Sequence, residues 1–122
     1  MKPTVLIIED NEQNMYMLAY LLASKGFEVS KAFNGKDGIE LAKKNQPNLI
    51  LMDIQLPDMD GYQICSALRN NGLPKSTVII AVTSYAMSGD REKALKSGAN
   101  GYIEKPINPE TFIQQMEDIY YE

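Results

Sequence analysis

The sequence has no histidine, no tryptophan and a single cysteine, Cys65. Without imidazole, the side chain best suited to moving protons near neutral pH is missing, and so is the usual nitrogen ligand of zinc. One cysteine excludes an internal disulfide. Cys65 falls on an apolar stripe with Gly61, Ile64 and Leu68 at helical spacing, where a buried thiol is expected. No apolar run approaches the roughly 20 residues of a membrane span, and no charged–apolar–small leader is present, so a cytoplasmic protein without membrane contact is expected. Basic residues are in deficit, with 12 Lys and Arg against 16 Asp and Glu, for a net charge of −4. That balance argues against a nucleic-acid surface. At 122 residues, 44% hydrophobic and 23% charged, the chain is expected to be one globular domain over 1–122 with one substantial core.

What is present is organised around Asp53. The run Leu49-Ile50-Leu51-Met52 suits a strand buried on both faces, as in a parallel sheet covered by helices. It stops on a carboxylate, and Leu56-Pro57 then ends the ladder. Asp60-Gly61 opens a helix, with Asp60 and Gln63 as a capping box. Val5-Leu6-Ile7-Ile8 is a second such run, ending on Glu9-Asp10, and Val78-Ile79-Ile80-Ala81-Val82 is a third, ending on Thr83-Ser84. Phe27-Glu28-Val29-Ser30 alternates and reads as a strand near a sheet edge. Gly101-Tyr102-Ile103-Glu104 is a short last strand followed by Lys105-Pro106.

Between the strands lie helical patterns. Asn11 caps a helix with Met15, Leu18, Ala19 and Leu22 inward, closed by Lys25-Gly26. Asn34 caps one carrying Ile39, Leu41 and Ala42. A helix from about Ser88 to Ser97 is poor in apolar residues, with Ala94 and Leu95 placed to bury. Asn108-Pro109 supplies an N-cap and a first-turn proline for a final helix lined by Phe112, Met116 and Ile119. Five βα repeats imply an α/β fold with a mainly parallel sheet and right-handed crossovers, the three apolar strands central.

Parallel strands send their carboxyl ends to one side, where open α/β sheets bind ligands. Glu9, Asp10, Asp53, Thr83 and Lys105 should therefore meet in one crevice, although each alone is as readily a cap or a loop polar. Together they are chemically coherent. Three carboxylates repel unless a divalent cation offsets them, and Mg²⁺ suits carboxylates plus water and phosphate oxygens. A cation, a lysine and a hydroxyl around a carboxylate would neutralise a phosphoryl group in transfer, and carboxylates are phosphoryl acceptors.

Over essentially its whole length the sequence resembles the receiver domains of two-component response regulators. The likeness rests on Glu9-Asp10, on Met52-Asp53-Ile54-Gln55-Leu56-Pro57-Asp58-Met59-Asp60-Gly61, on Thr83-Ser84, and on Tyr102 with Lys105-Pro106. The resemblance implies a doubly wound, flavodoxin-like, five-stranded parallel sheet in the order 2-1-3-4-5 with five helices; the general rule for such sheets is itself illustrated with a member of this family. It implies a phosphoacceptor signalling protein, not an enzyme, with only self-phosphorylation and self-dephosphorylation chemistry. Asp53 would take a phosphoryl group from a histidine kinase or histidine phosphotransfer protein. Mg²⁺, or Mn²⁺ in its place, would be held by Asp10, Asp53 and the Gln55 backbone carbonyl, with Glu9 assisting. Lys105 would pair with a phosphate oxygen ahead of a cis Lys105–Pro106 bond. Thr83 and Tyr102 would form the switch, and a downstream protein would dock on the face of the fourth helix, fifth strand and fifth helix.

Two positions bear on phosphate lifetime. Gln55 and Tyr85 would flank the phosphoryl group, Gln55 to orient water and Tyr85 to exclude it or to face a partner. The chain reads either as a stand-alone regulator or as the receiver segment of a hybrid histidine kinase or larger regulator. An Asp-nucleophile phosphatase would want a second acid at position 55, which is Gln. A flavin carrier would want a phosphate loop where Glu9-Asp10 stands, and a non-phosphorylated scaffold would not need the acid set.

Overall fold

The three long apolar runs become the three central strands. In a computed structural model describing residues 2–84 and 90–121, with backbone alone at 90 and 91, the chain runs β1 (Thr4–Ile8), α1 (Glu12–Ser24), β2 (Glu28–Ala32), α2 (Gly35–Asn45), β3 (Leu49–Asp53), α3 (Gly61–Asn70), β4 (Val78–Thr83), α4 (Asp90–Ser97), β5 (Gly101–Glu104) and α5 (Phe112–Tyr120). All strand pairs are parallel, in the order β2-β1-β3-β4-β5. This is the doubly wound sheet expected, with the charged strand β2 at one edge.

Period-two alternation divides the core between the two faces of the sheet. Leu6, Ile8, Ile50, Met52, Ile79 and Ala81 face the side carrying α2, α3 and α4. Val5, Ile7, Leu49, Leu51, Ile80 and Ile103 face α1 and α5, with Met15, Leu18, Leu22, Phe112 and Met116 packed on them. Register then fixes the site: Ile8 pairs with Met52, Asp53 with Val82, and Thr83 with Glu104. Glu9, Asp53, Thr83 and Lys105 thus leave the sheet within a step of one another.

Three local expectations are corrected, and one is extended. On α2, Ile39 and Leu41 pack half-buried against the core as expected with Ala42, and Gly35 and Gly38 complete its buried face. The glycines permit close approach, since a Cβ at Gly38 would sit 2.6 Å from Ile8 Cδ1. On α4, Ala94 is buried but Leu95 is 44% exposed. Asp60 caps α3 through the Tyr62 N–H at 2.8 Å, one residue earlier than a capping box with Gln63 requires. Asn108-Pro109 forms a turn ahead of α5, with Asn108 Oδ1 accepting the Glu110 N–H; the helix begins only at Phe112, and Thr111 before it makes no side-chain cap bond. The expected start of the fourth helix at Ser88 lies outside the described residues.

Candidate functional site

Each acid or cation of the crevice is delivered by the end of a strand. Glu9 follows β1, and its side chain is almost wholly buried. Asp10 beside it is exposed, and Asn11 then starts α1 by accepting the Asn14 N–H at 2.9 Å. Asp53 is the last residue of β3 and is 3% exposed. Its two oxygens are held differently: Oδ1 accepts the Gln55 backbone N–H at 2.9 Å, and Oδ2 accepts from Lys105 Nζ at 2.9 Å. Lys105 follows β5, its backbone N–H bonded to the Thr83 carbonyl at 2.7 Å. The Lys105–Pro106 peptide is cis.

The same ammonium lies 3.0 Å from Glu9 Oε1. This is an ion-pair contact, and Oε1 is a buried carboxylate oxygen that makes no hydrogen bond of ordinary geometry. Glu9 Oε2 has a long one, 3.3 Å from the Asn11 N–H. Burial, reinforced by neighbouring Asp53 and opposed by Lys105, pushes the Glu9 carboxyl up to about 7. Burial disfavours the charge on Lys105, but the close contacts with Asp53 and Glu9 and the attraction of both carboxylates outweigh it, and its pKa is raised.

These groups fit a hard divalent cation. Oxygens of Glu9, Asp10 and Asp53 lie within 4.8 Å of one another, and Glu9 Oε1 still lacks a hydrogen-bond donor. Oxygen donors with net negative charge are the set Mg²⁺ takes.

A pH dependence follows. Glu9 titrates near 4.5 when unfolded and near 7 when folded, so between these values the native state binds the extra proton. Its contribution is full below about pH 4.5 and is lost as pH rises through 7. In chelator, denaturant unfolding should therefore show stability falling from pH 5 to pH 8, by at most about 3 kcal/mol for this shift. Glu9→Gln should flatten the profile; an equally steep profile in the variant would contradict the assignment.

Thr83, buried at the end of β4, joins Gln55, Met59, Asp60 and Tyr62 around an open cavity of about 380 Å³ beside Asp53. Tyr102 is half-buried on β5 and lines a different depression, with Leu95, Gln115 and Ile119. The structure therefore gathers Glu9, Asp10, Asp53, Gln55, Thr83 and Lys105, and leaves Tyr102 outside the group, earlier on β5 and lining a different depression. Tyr85 lies outside the described residues. Sequence reasoning missed Asp58, whose carboxylate accepts the Gly35 N–H at 2.8 Å and the Lys36 N–H at 3.0 Å. Only its place after Pro57, in a loop that must turn back, hinted at a tethering role.

Comparison with known proteins agrees with this geometry. Residues 5–117 match the response regulator receiver domain model. The chain belongs to that family. It is 38% identical to the polar-differentiation response regulator DivK of Brucella anthropi over 117 residues, which is 96% of this chain and 95% of that protein. Among solved structures it is similar to the receiver domain of the sensor histidine kinase PA1611 from Pseudomonas aeruginosa PAO1, a structure with a magnesium ion coordinated in its active-site cleft. That match has a TM-score of 0.87 at 30% identity and covers 100% of both chains. It also matches a chain of the Saccharomyces cerevisiae co-crystal of the histidine phosphotransfer protein Ypd1 with the receiver domain of the response regulator Ssk1. Here the TM-score is 0.88 at 28% identity, covering 98% of this chain and 90% of that one. Receiver domains are phosphoacceptor signalling modules of two-component systems, not enzymes in the ordinary sense. Among the described residues, no helix is long and apolar enough to cross a membrane.

Proposed function

We propose that Asp53 is the phosphoacceptor, taking a phosphoryl group from the phosphohistidine of a histidine kinase or histidine phosphotransfer protein. The observation that carries this is the setting of one buried carboxylate, Asp53, with Lys105 on Oδ2, a backbone N–H on Oδ1 and two further carboxylates beside it. As the Asp53 oxygen bonds to phosphorus, the P–N bond of the donor breaks and its imidazole keeps the electron pair. Lys105 moves from carboxylate to phosphoryl oxygen and so offsets the charge that gathers there. Glu9, Asp10, Asp53 and the Gln55 carbonyl are the groups that would hold Mg²⁺, which when bound supplies charge neutralisation for the phosphoryl oxygens. A cleft of about 600 Å³ opens beside Lys105, between α1 and the β5–α5 connection, bounded by Asn14, Met17 and Ile107, and is where the donor would approach. Incubation with acetyl phosphate and Mg²⁺ should add the mass of one phosphoryl group to the intact protein; no gain under any Mg²⁺ concentration would refute the reading.

Mg²⁺ should also stabilise the unphosphorylated fold. At 100 times its dissociation constant, a ligand that binds only the native state adds about 2.7 kcal/mol. Thermal melts at pH 7 with and without saturating Mg²⁺ should therefore separate, and superimposed melts would remove the metal from the account.

Thr83 reads the phosphoryl group, and Tyr102 relays it to a protein docked on α4, β5 and α5, in the cytoplasm. Thr83→Ala is expected to accept phosphate at Asp53 while the chemical-shift changes around Tyr102 on phosphorylation shrink severalfold. Equal changes in wild type and variant would exclude this relay. Gln55, whose side chain is exposed beside the acceptor, is assigned to orienting the hydrolytic water, and Tyr85 to shielding the phosphoryl group from it.

A further inference from the structure

Residues 54–60 connect β3 to α3 and carry the Gln55 N–H that holds Asp53 Oδ1. One end of this loop is fastened to β4 and the other to the loop's own start. The Ile54 N–H donates to the Val82 carbonyl at 3.0 Å, and the Gly61 N–H donates to the Ile54 carbonyl at 2.9 Å. Its middle is fastened to α2. Asp58 reaches across to α2 and uses both carboxylate oxygens, Oδ1 on the Gly35 N–H and Oδ2 on the Lys36 N–H. Although the side chain is exposed, these two bonds hold its carboxyl below the usual range. Beside it Met59 lies on Gly35, where a Cβ would come within 3.0 Å of Met59 Cβ and 2.8 Å of Ile64 Cδ1. A glycine at the first position of α2 therefore lets the loop close against the helix.

That helix already has a cap of its own. Asn34 Oδ1 accepts the Asp37 N–H at 2.8 Å, which is the ordinary local N-cap. Asp58 takes two other free N–H groups of the same helix start, from 23 residues away in the chain. Charge-assisted bonds to a helix N-terminus are among the stronger ones available at a surface. We propose that Asp58 is a positioning residue for the phosphoacceptor site: it clamps the β3–α3 loop to α2 and thereby holds the Gln55 amide against Asp53. The inference rests on the reading of Asp53 as acceptor. Asp58 is outside the acid cluster of Glu9, Asp10 and Asp53 and acts through Gln55.

Two variants separate a clamp from a simple helix cap. Asp58→Ala and Asn34→Ala each remove an N-terminal cap from α2, but only the first releases the loop. Three quantities are read: amide hydrogen exchange at Gln55 in metal-free protein, the Mg²⁺ dissociation constant by NMR titration, and the rate of phosphate uptake from phosphoramidate. In Asp58→Ala the Gln55 amide should exchange about tenfold faster, and Mg²⁺ should bind about tenfold more weakly, as when an outer partner of a metal site is lost. Uptake should slow in proportion, and Asp58→Asn, which keeps one acceptor oxygen, should fall between. Asn34→Ala should match wild type on all three even if it melts lower. Wild-type values in Asp58→Ala, or equal changes in both alanine variants, would overturn the clamp while leaving the acceptor intact. A wild-type protein that takes no phosphoryl group would overturn the acceptor reading and the positioning role with it.

Discussion

Asp53→Asn is expected to abolish phosphoryl uptake, leaving the intact mass unchanged after incubation with Mg²⁺ and acetyl phosphate. The amide keeps the shape of the carboxylate and an oxygen for the Gln55 N–H, now 2.9 Å from Asp53 Oδ1. It offers no anionic nucleophile, and since nucleophile loss removes the reaction path itself, the expected fall is at least about 100-fold. Asp10 lies in the same acid cluster but is exposed and has no lysine on it among the described ion pairs. Asp10→Asn should therefore weaken the response to Mg²⁺ and still allow slow modification at high donor concentration. If Asp53→Asn gained mass at the wild-type rate, the acceptor would lie elsewhere.

Lys105→Met should have the largest effect on stability. The lysine ammonium is the one cation within ion-pair distance of both Glu9 and Asp53 among the described residues, at 3.0 and 2.9 Å. Methionine fills much of the same volume, so the change isolates the charge. Removing one partner of a buried pair costs about 3 to 5 kcal/mol, because the other is left without compensation. The lysine side chain here is 15% exposed and Glu9 can take up a proton, so about 3 kcal/mol is expected at pH 7 in chelator. Saturating Mg²⁺ should recover part of that, and adding Glu9→Gln should recover more, since the two positions share one charge balance. Urea unfolding of the single and double variants measures this. Equal midpoints for wild type and Lys105→Met in chelator would contradict the ion-pair geometry.

The sheet was legible where burial on both faces leaves a continuous apolar run, as in β1, β3 and β4. Polar residues halting those runs located the crevice, because parallel strands share the direction of their ends. The strand order and the cis Lys105–Pro106 bond were different: no periodicity encodes them, and they came from the family likeness. At α2 the sequence fell short because backbone proximity, not side-chain hydrophobicity, sets the inner face. Gly35 and Gly38 carry no apolar side chain, yet they form the inner face of α2 because only their size lets β1 and the β3–α3 loop come close. Leu95 follows the helical spacing of a buried residue but stands 44% exposed on α4, beside Ala94, which alone of the two reaches the core. Asp58 reads as one more turn acid until its partners in α2, 22 and 23 residues away, are seen.

The central claim is that the phosphoryl group sits on Asp53. Acyl phosphates are reduced by borohydride to the alcohol, so a phosphorylated aspartate becomes homoserine and is marked permanently. Wild-type protein treated with Mg²⁺ and acetyl phosphate, reduced, digested and sequenced by mass spectrometry should carry homoserine at position 53 and at no other acid. Homoserine at position 10, 5-hydroxynorvaline at position 9, or an unmarked position 53 in protein that has gained phosphoryl mass, would contradict the account.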